Sequence, residues 1–346
     1  MTLIQLFTAI ANAIRGKTGS SNSIPAENFP NEISNITTGK LTNAEYEEAD
    51  EDVDDILENT TVPTGTISIT ANGEYDVTNY TDANVNIIND YNVKMNTSFT
   101  SSKPNFVSNI TNLPVVDLSN VTTASGLCSG FSSLISVPSL NFTNITDFSN
   151  AFNNCKSLLS FDMAQMTPST ANTINMQNMF ARCDNIQTID NLDIKNVTSL
   201  YTAFSECKKL TTLNLINRNE AKLTTYGLDY AFRYLNSMVT LDLSNLNTQN
   251  ITSLTYTFYN CPLLVNLDLS NWNLSSLTGM NLSFGNCANL SNNSLNSILS
   301  ILPSATSLSS VNKNLSKLGL SRSQATTCTG LSNWAACEAA GWTTGY

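Results

Sequence analysis

Histidine is missing from this chain of 346 residues. That absence excludes Ser-His-Asp triads, Cys-His pairs, His-ligated zinc and the usual general base near neutral pH. Charge is also scarce, with 12% of residues charged against 41% hydrophobic. The net charge of −11 opposes binding to nucleic acid or anionic lipid through a basic patch. No apolar run approaches the ~18 residues that a membrane span needs, so no membrane insertion is expected. The opening stretch, MTLIQLFTAIANAIRGKTG, has its positive residues Arg15 and Lys17 after its apolar part, the wrong order for a secretory leader. Leu3, Phe7, Ile10 and Ile14 recur there at helical spacing, which predicts an amphipathic helix. The ending, GWTTGY, shows neither a wall-sorting pattern nor a hydrophobic anchor.

What is present changes texture along the chain. Residues 1–39 read as a small helical module: a first helix stops at Gly16, and a second starts at Pro25 with Phe29 and Ile33 on one face. So short a module cannot bury a core alone, and must dock on a partner, a neighbouring copy or the rest of the chain. Residues 40–62 are acidic, with nine of the chain's 27 acids between Glu45 and Glu58. They read as a solvated linker, or as a short helix with Tyr46, Ala49, Val53, Ile56 and Leu57 on a stripe. A calcium site there lacks the spacing and glycine of an EF-hand loop. Residues 63–96 form a small β element, where Asn72-Gly73 between alternating apolar runs predicts a hairpin.

A repeat occupies residues 97–290. Its most regular element is Phe-x-x-Cys-x-x-Leu, carried by Phe152 and Cys155, Phe180 and Cys183, Phe204 and Cys207, Phe258 and Cys261, and Phe284 and Cys287. Phe232 heads a copy with Leu235 in place of cysteine, and Cys128 and Phe131 exchange the two residue types. The register recurs every 24 to 28 residues, with about seven repeats, each holding one strand and one helical turn or short helix. Such a unit closes no core alone; stacking would bring each Phe, Cys and Leu against its counterparts in ladders. The fold class expected is therefore a solenoid, preceded by the helical module and the hairpin. Residues 291–346 break the period and read as a C-terminal cap of helices and a final strand.

The eight cysteines raise the question of disulfides or zinc. A position that accepts Leu235 or Phe131 is an apolar packing position, so buried free thiols are the better reading. Neighbouring repeat cysteines are too far apart in sequence for zinc pairs. Cys328 and Cys337 could bond, although their separation favours free thiols. No metal and no cofactor are expected, and reduced cysteines fit folding in a cytoplasm.

The repeat text CPLLVNLDLSNWNLSSLTGMNLSF resembles the BspA-type leucine-rich repeat of bacterial surface proteins over about residues 110–290. The resemblance implies an α/β leucine-rich-repeat solenoid, adhesion or surface recognition, and no catalysis. The N-terminal text, through Ile14, Arg15, Lys17, Thr18, Gly19, Ile24, Phe29, Pro30 and Ile33, resembles a module of tail, baseplate and fibre proteins from phages of Gram-positive bacteria. ISITANGEYDV is similar to the element that often follows that module, and GLSNWAACEAAGWTTGY to the close of such proteins. The function implied is a structural virion protein, not an enzyme. Its N-terminal module, with Ile14, Phe29 and Ile33 as candidate anchoring residues, would attach it to other virion proteins on the particle surface. The solenoid would touch a host cell-surface glycan or protein, and a homo-oligomer, guessed as a trimer, is expected. The candidate contact face is the strand side, where Asp162, Asn214, Asp242 and Asp268 form a polar column. A head decoration or head-fibre protein and a bacterial surface adhesin are the alternatives.

Overall fold

A computed structural model describes residues 111–346, apart from 114, 166–168, 170 and 172, together with the backbone of four strands upstream. The chain falls into two units, Met1–Thr64 and Gly65–Tyr346. The first lies outside the described residues, and with it the helical module, Ile14, Phe29, Ile33 and the acidic stretch of 40–62.

Every strand pair among the described residues is parallel. Strand β1 (Ile67–Ile69) pairs with β3 (Val85–Ile87), while β2 (Gly73–Tyr75) pairs with β4 (Val93–Ser98), which continues to β5 (Val115–Asp117). This corrects the expected hairpin: Ile67 and Ile69 are in register with Val85 and Ile87, not with the run after Gly73. The physical reason is that Asn-Gly specifies only a local reversal. Pairing of three-residue strands is decided by the partners that the next coil supplies. Farther on, β6 (Ser160–Asp162), β8 (Thr188–Asp193) and β10 (Thr212–Ile216) form one sheet. Strand β11 (Thr240–Asp242) pairs with β12 (Asn266–Asp268), and β7 (Ile174–Asn175) with β9 (Val197–Ser199). A parallel pair needs a crossover, and here the crossover is the remainder of one coil, so the described residues form a solenoid. The three-residue strands β11 and β12 each turn one apolar side chain inward: Leu241 and Leu267 are buried between exposed neighbours.

The wall expected to carry a helical turn or short helix in each repeat is built differently. In the coil around Phe152, the N–H groups of Phe148, Asn150, Phe152 and Asn154 donate to Asn175, Gln177, Met179 and Ala181 of the next coil, at 2.7 to 2.9 Å. The alternate N–H groups of Ala151, Asn153 and Cys155 donate three residues back, to Phe148, Asn150 and Phe152. An α-helix would direct every N–H four residues back. This wall instead alternates tight turns with bonds between coils. Residues Asn150 and Asn154 have φ of 57° and 61°, the left-handed geometry that a turn with positive φ at its third residue takes from Gly or Asn.

The interior is a stack of rings. Phe152, Phe180, Phe204, Phe232, Phe258 and Phe284 are all buried, with successive centroids 5.6, 6.2, 5.5, 5.4 and 5.3 Å apart and planes within 13° of parallel. Beside them run the cysteines. The thiols of Cys155, Cys183, Cys207 and Cys261 each donate at 3.1 Å to a carbonyl of the preceding coil, and that of Cys287 at 2.9 Å. All eight cysteines are free and buried, Cys328 and Cys337 included.

The end of the stack is closed by side chains. Helix α1 (Asn292–Ile301) starts at Ser291, whose hydroxyl accepts from the Ser294 N–H. Leu267 and Leu269 of the last strand coil donate their N–H groups to the hydroxyls of Ser294 and Ser297, at 2.8 and 2.9 Å. The turn wall gains one more rung, because Leu282 and Phe284 donate to the carbonyls of Lys317 and Leu318. That rung passes so close that a Cβ on Gly319 would lie 2.7 Å from the backbone of Gly285. Helices α2 (Arg322–Cys328) and α3 (Trp334–Ala339) cover the end, with Trp342 buried behind them.

Candidate functional site

The three strand-side aspartates are committed to turns, while Asn214 falls where β10 slips register against β8. Asp162 ends β6, and its Oδ1 accepts from the Ala164 N–H and the Asn191 amide, both at 2.9 Å. Those bonds, the Asn191 one foremost, hold its carboxyl below the usual carboxylate range. Asp268 accepts from the Ser270 N–H at 2.8 Å. Asp242 accepts from the Ser244 N–H at 2.8 Å and from the Arg218 guanidinium at 3.2 Å. Partial burial pushes Asp242 up, but its bonds to Ser244 and Arg218 outweigh this and leave it lowered. Each aspartate thus closes the turn leaving its strand, a use that its residue type favours. In the register the column also contains Asp190, opposite Asp162, which sequence reasoning passed over.

Between Asn214 and Asp242 this face opens into a groove of about 590 Å³, lined by Asn214, Leu215, Ile216, Asn217, Arg218, Asn219, Asp242 and Asn245. Arg218 begins a short 3₁₀ turn and is pinned to the next coil, its Nη1 donating to the Asp242 carbonyl at 2.8 Å. The groove offers amides and a guanidinium already paired with the carboxylate beside it. Among the described residues, no three His, Cys, Asp or Glu side chains gather into a metal-holding group.

The turn wall carries a second, denser constellation that sequence reasoning missed. The ring of Tyr230 stacks on Tyr256 at 5.4 Å and 11°, and Tyr201 meets Tyr230 edge-on at 5.9 Å. Tyr259 joins Tyr256 at 5.0 Å and Tyr234 at 5.8 Å. The Arg233 guanidinium lies 4.9 Å from the Tyr230 ring centre and 5.6 Å from that of Tyr234. Its Nε donates to the Ser205 hydroxyl at 2.7 Å, and Glu206 accompanies it at 3.7 Å and Arg182 at 3.6 Å. Tyr226, on the same coil, is 61% exposed. Partial burial, followed by the neighbouring Tyr201, pushes the Tyr230 phenol upward.

The backbone beneath these side chains is strained. The left-handed positions of the turn wall hold Gly126, Gly130, Asn150, Asn154 and Asn178 in the early coils and Asn260, Leu282 and Asn286 in the late ones. Between them sit Arg182, Thr202, Glu206, Tyr230, Tyr234 and Tyr256, at φ of 53° to 63°. A bulky residue with positive φ is an outlier and costs on the order of 1–3 kcal/mol. The readable signal was the substitution of Tyr for Asn or Gly two residues before and after the repeat phenylalanine.

Two overlapping stretches, residues 93–219 and 174–298, match a family model described as Mycoplasma protein of unknown function, DUF285, and together span more than half of the chain. No curated protein matches. A crystal structure of a TLR13–ssRNA13 complex matches at 14% identity and a TM-score of 0.19, over 64% of this chain and 43% of that one. The chain therefore spans less than half of that protein's length, and a TM-score so low carries no argument.

Proposed function

From the premise that the chain belongs to the DUF285 family, we propose that it is a surface-recognition protein of the adhesin type, acting by binding and not by catalysis. The family match and the solenoid fit a BspA-type repeat protein. The observation that carries the reading is the column architecture: parallel coils hold one side chain per coil in fixed register, as Asp242 stands against Asp268. Such a wall gives a rigid, extended contact surface, and many weak contacts on one wall sum to useful avidity. The finer reading of the repeat is leucine-rich, with about seven units ordered by the phenylalanine ladder. The test is flow cytometry with the fluorescently labelled full chain on intact bacterial and host cells. Saturable binding that unlabelled protein competes away is expected; absence of binding to every cell type would remove the adhesin reading.

A second reading is favoured by the sequence of the N-terminal region, where Ile14, Phe29 and Ile33 fall in text similar to a phage tail and fibre module. In it the chain is a virion structural protein, in the tail or as a head decoration, attached to other virion proteins through that module and presenting the solenoid to the host as a homo-oligomer. Mass spectrometry of purified phage particles decides between the two. Its peptides in intact particles support the virion role, and their absence from particles alongside recovery from the cell envelope supports the adhesin.

A further inference from the structure

We propose that the tyrosine ridge of the turn wall, formed by Tyr201, Tyr230, Tyr234, Tyr256 and Tyr259 with Arg233, binds an extended, neutral β-linked polysaccharide running along the solenoid axis. The inference rests on the surface-recognition reading and adds to it a site and a ligand class. Its first support is the backbone. Tyr230, Tyr234 and Tyr256 occupy left-handed positions that the early coils give to Gly and Asn. Backbone geometry favours Asn there, and the rings, like Arg182, Thr202, Glu206 and Leu282 at the same register positions, are held at a cost in strain.

The second support is spacing. The rings of Tyr230 and Tyr256 repeat at 5.4 Å, one per coil, close to the advance of one pyranose along a β-1,4-linked chain. Two successive sugars therefore meet these two tyrosines in register. The third is chemistry. The hydroxyls of Tyr201, Tyr230, Tyr234 and Tyr256 have no hydrogen-bond partner among the described residues, whereas that of Tyr259 accepts from Asn286 at 3.3 Å. Because Tyr230 and Tyr256 stack on each other, their faces are turned to one another, and what they offer a sugar chain is ring edges and polar tips that bond to its hydroxyls. Arg233, steadied by Ser205 and Glu206, adds donors at the centre of the ridge. Because Glu206 stands between Arg182 and Arg233, the ridge carries little excess positive charge, which selects a neutral glycan over a polyanion.

The experiment is calorimetric titration of the full chain with a soluble β-1,4-linked N-acetylglucosamine hexamer and, in parallel, a β-1,4-linked glucose hexamer. Wild type should bind at least one of them. The double variant Tyr230→Asn/Tyr256→Asn should bind at least tenfold more weakly with Tm unchanged or raised, because Asn suits positive φ. Tyr201→Ala, at a position of ordinary φ, should also weaken binding, and Asp268→Asn on the strand side should leave it intact. Undiminished binding by the double variant, or no binding of either hexamer by wild type, overturns the proposal. Cell binding that survives the Tyr230→Asn/Tyr256→Asn change sinks the ridge as the contact while leaving the adhesin reading standing. Hexamer binding without cell binding does the reverse.

Discussion

Asp229 and Asp242 respond to pH in opposite senses. Asp229 is buried beside the tyrosine ridge, where loss of water raises its carboxyl above the ordinary value despite bonds from Ser253 and the Thr255 N–H, both at 2.9 Å. A carboxyl raised in the folded state favours the fold while protonated, so its contribution is lost as pH rises from the ordinary carboxylate range through the raised value. Asp242, held low, contributes above the ordinary range and loses that contribution as pH falls through its lowered value. Asp229→Asn keeps an acceptor for the Thr255 N–H and removes the charge. It should raise Tm at neutral pH and leave it nearly unchanged at acid pH, as a melting series across pH will show. The thiols give a second residue-scale expectation. Burial pushes Cys183 and Cys207 well up, and Cys328 and Cys337 to about 11 and about 12. All eight thiols are buried, so a thiol reagent at pH 8 should label none of them in folded protein and all of them in denaturant. Labelling of the native protein would contradict their burial. That these are packing thiols was readable from the sequence because Leu235 and Phe131 occupy the same register. The tyrosine ridge left one signal, Tyr at positions where earlier repeats have Asn or Gly, but nothing in the sequence showed that those positions lie on turns.

At the scale of elements, the strands were readable and their partners were not. Leu-Asp-Leu at 241–243 and 267–269 announces a strand whose leucines face inward on either side of an outward aspartate. The turn wall was read as a helical turn or short helix because Phe152, Cys155 and Leu158 recur at intervals that a helix also uses. Its backbone instead sends alternate N–H groups to the next coil. The hairpin at Asn72-Gly73 failed for a related reason: a local turn signal says nothing about a partner near residue 85 or 93. The C-terminal closure is an element-scale device with a clear test. Ser294 and Ser297 supply the acceptors for Leu267 and Leu269, and removing an acceptor from a buried donor costs about 1–3 kcal/mol. Ser294→Ala and Ser297→Ala should each lower stability by about that much in urea unfolding, more than Ser332→Ala at an exposed bond. Equal effects would mean that the hydroxyls do not terminate the sheet.

For the whole molecule, stability is a sum over neighbouring coils, and the phenylalanine ladder is a continuous thread through six of them. Phe204 lies between Phe180 and Phe232, and Phe258 between Phe232 and Phe284, each ring facing two others at 5.3 to 6.2 Å. Removing a buried Phe costs about 3–5 kcal/mol, so Phe204→Ala and Phe258→Ala should each cause a loss of that order in denaturant unfolding. A chain that tolerated both changes without a shift in midpoint would not be held together by stacked coils. The same stacking makes the outer surface a set of straight columns, and a recognition role depends on those columns meeting something outside. The most direct test is immunogold electron microscopy, on whole cells and on purified particles, with antibody raised against residues 97–346. Gold on an outer surface, of cell or particle, is the result expected of a surface-recognition solenoid. Gold confined to the cell interior, with every outer surface bare, would contradict it.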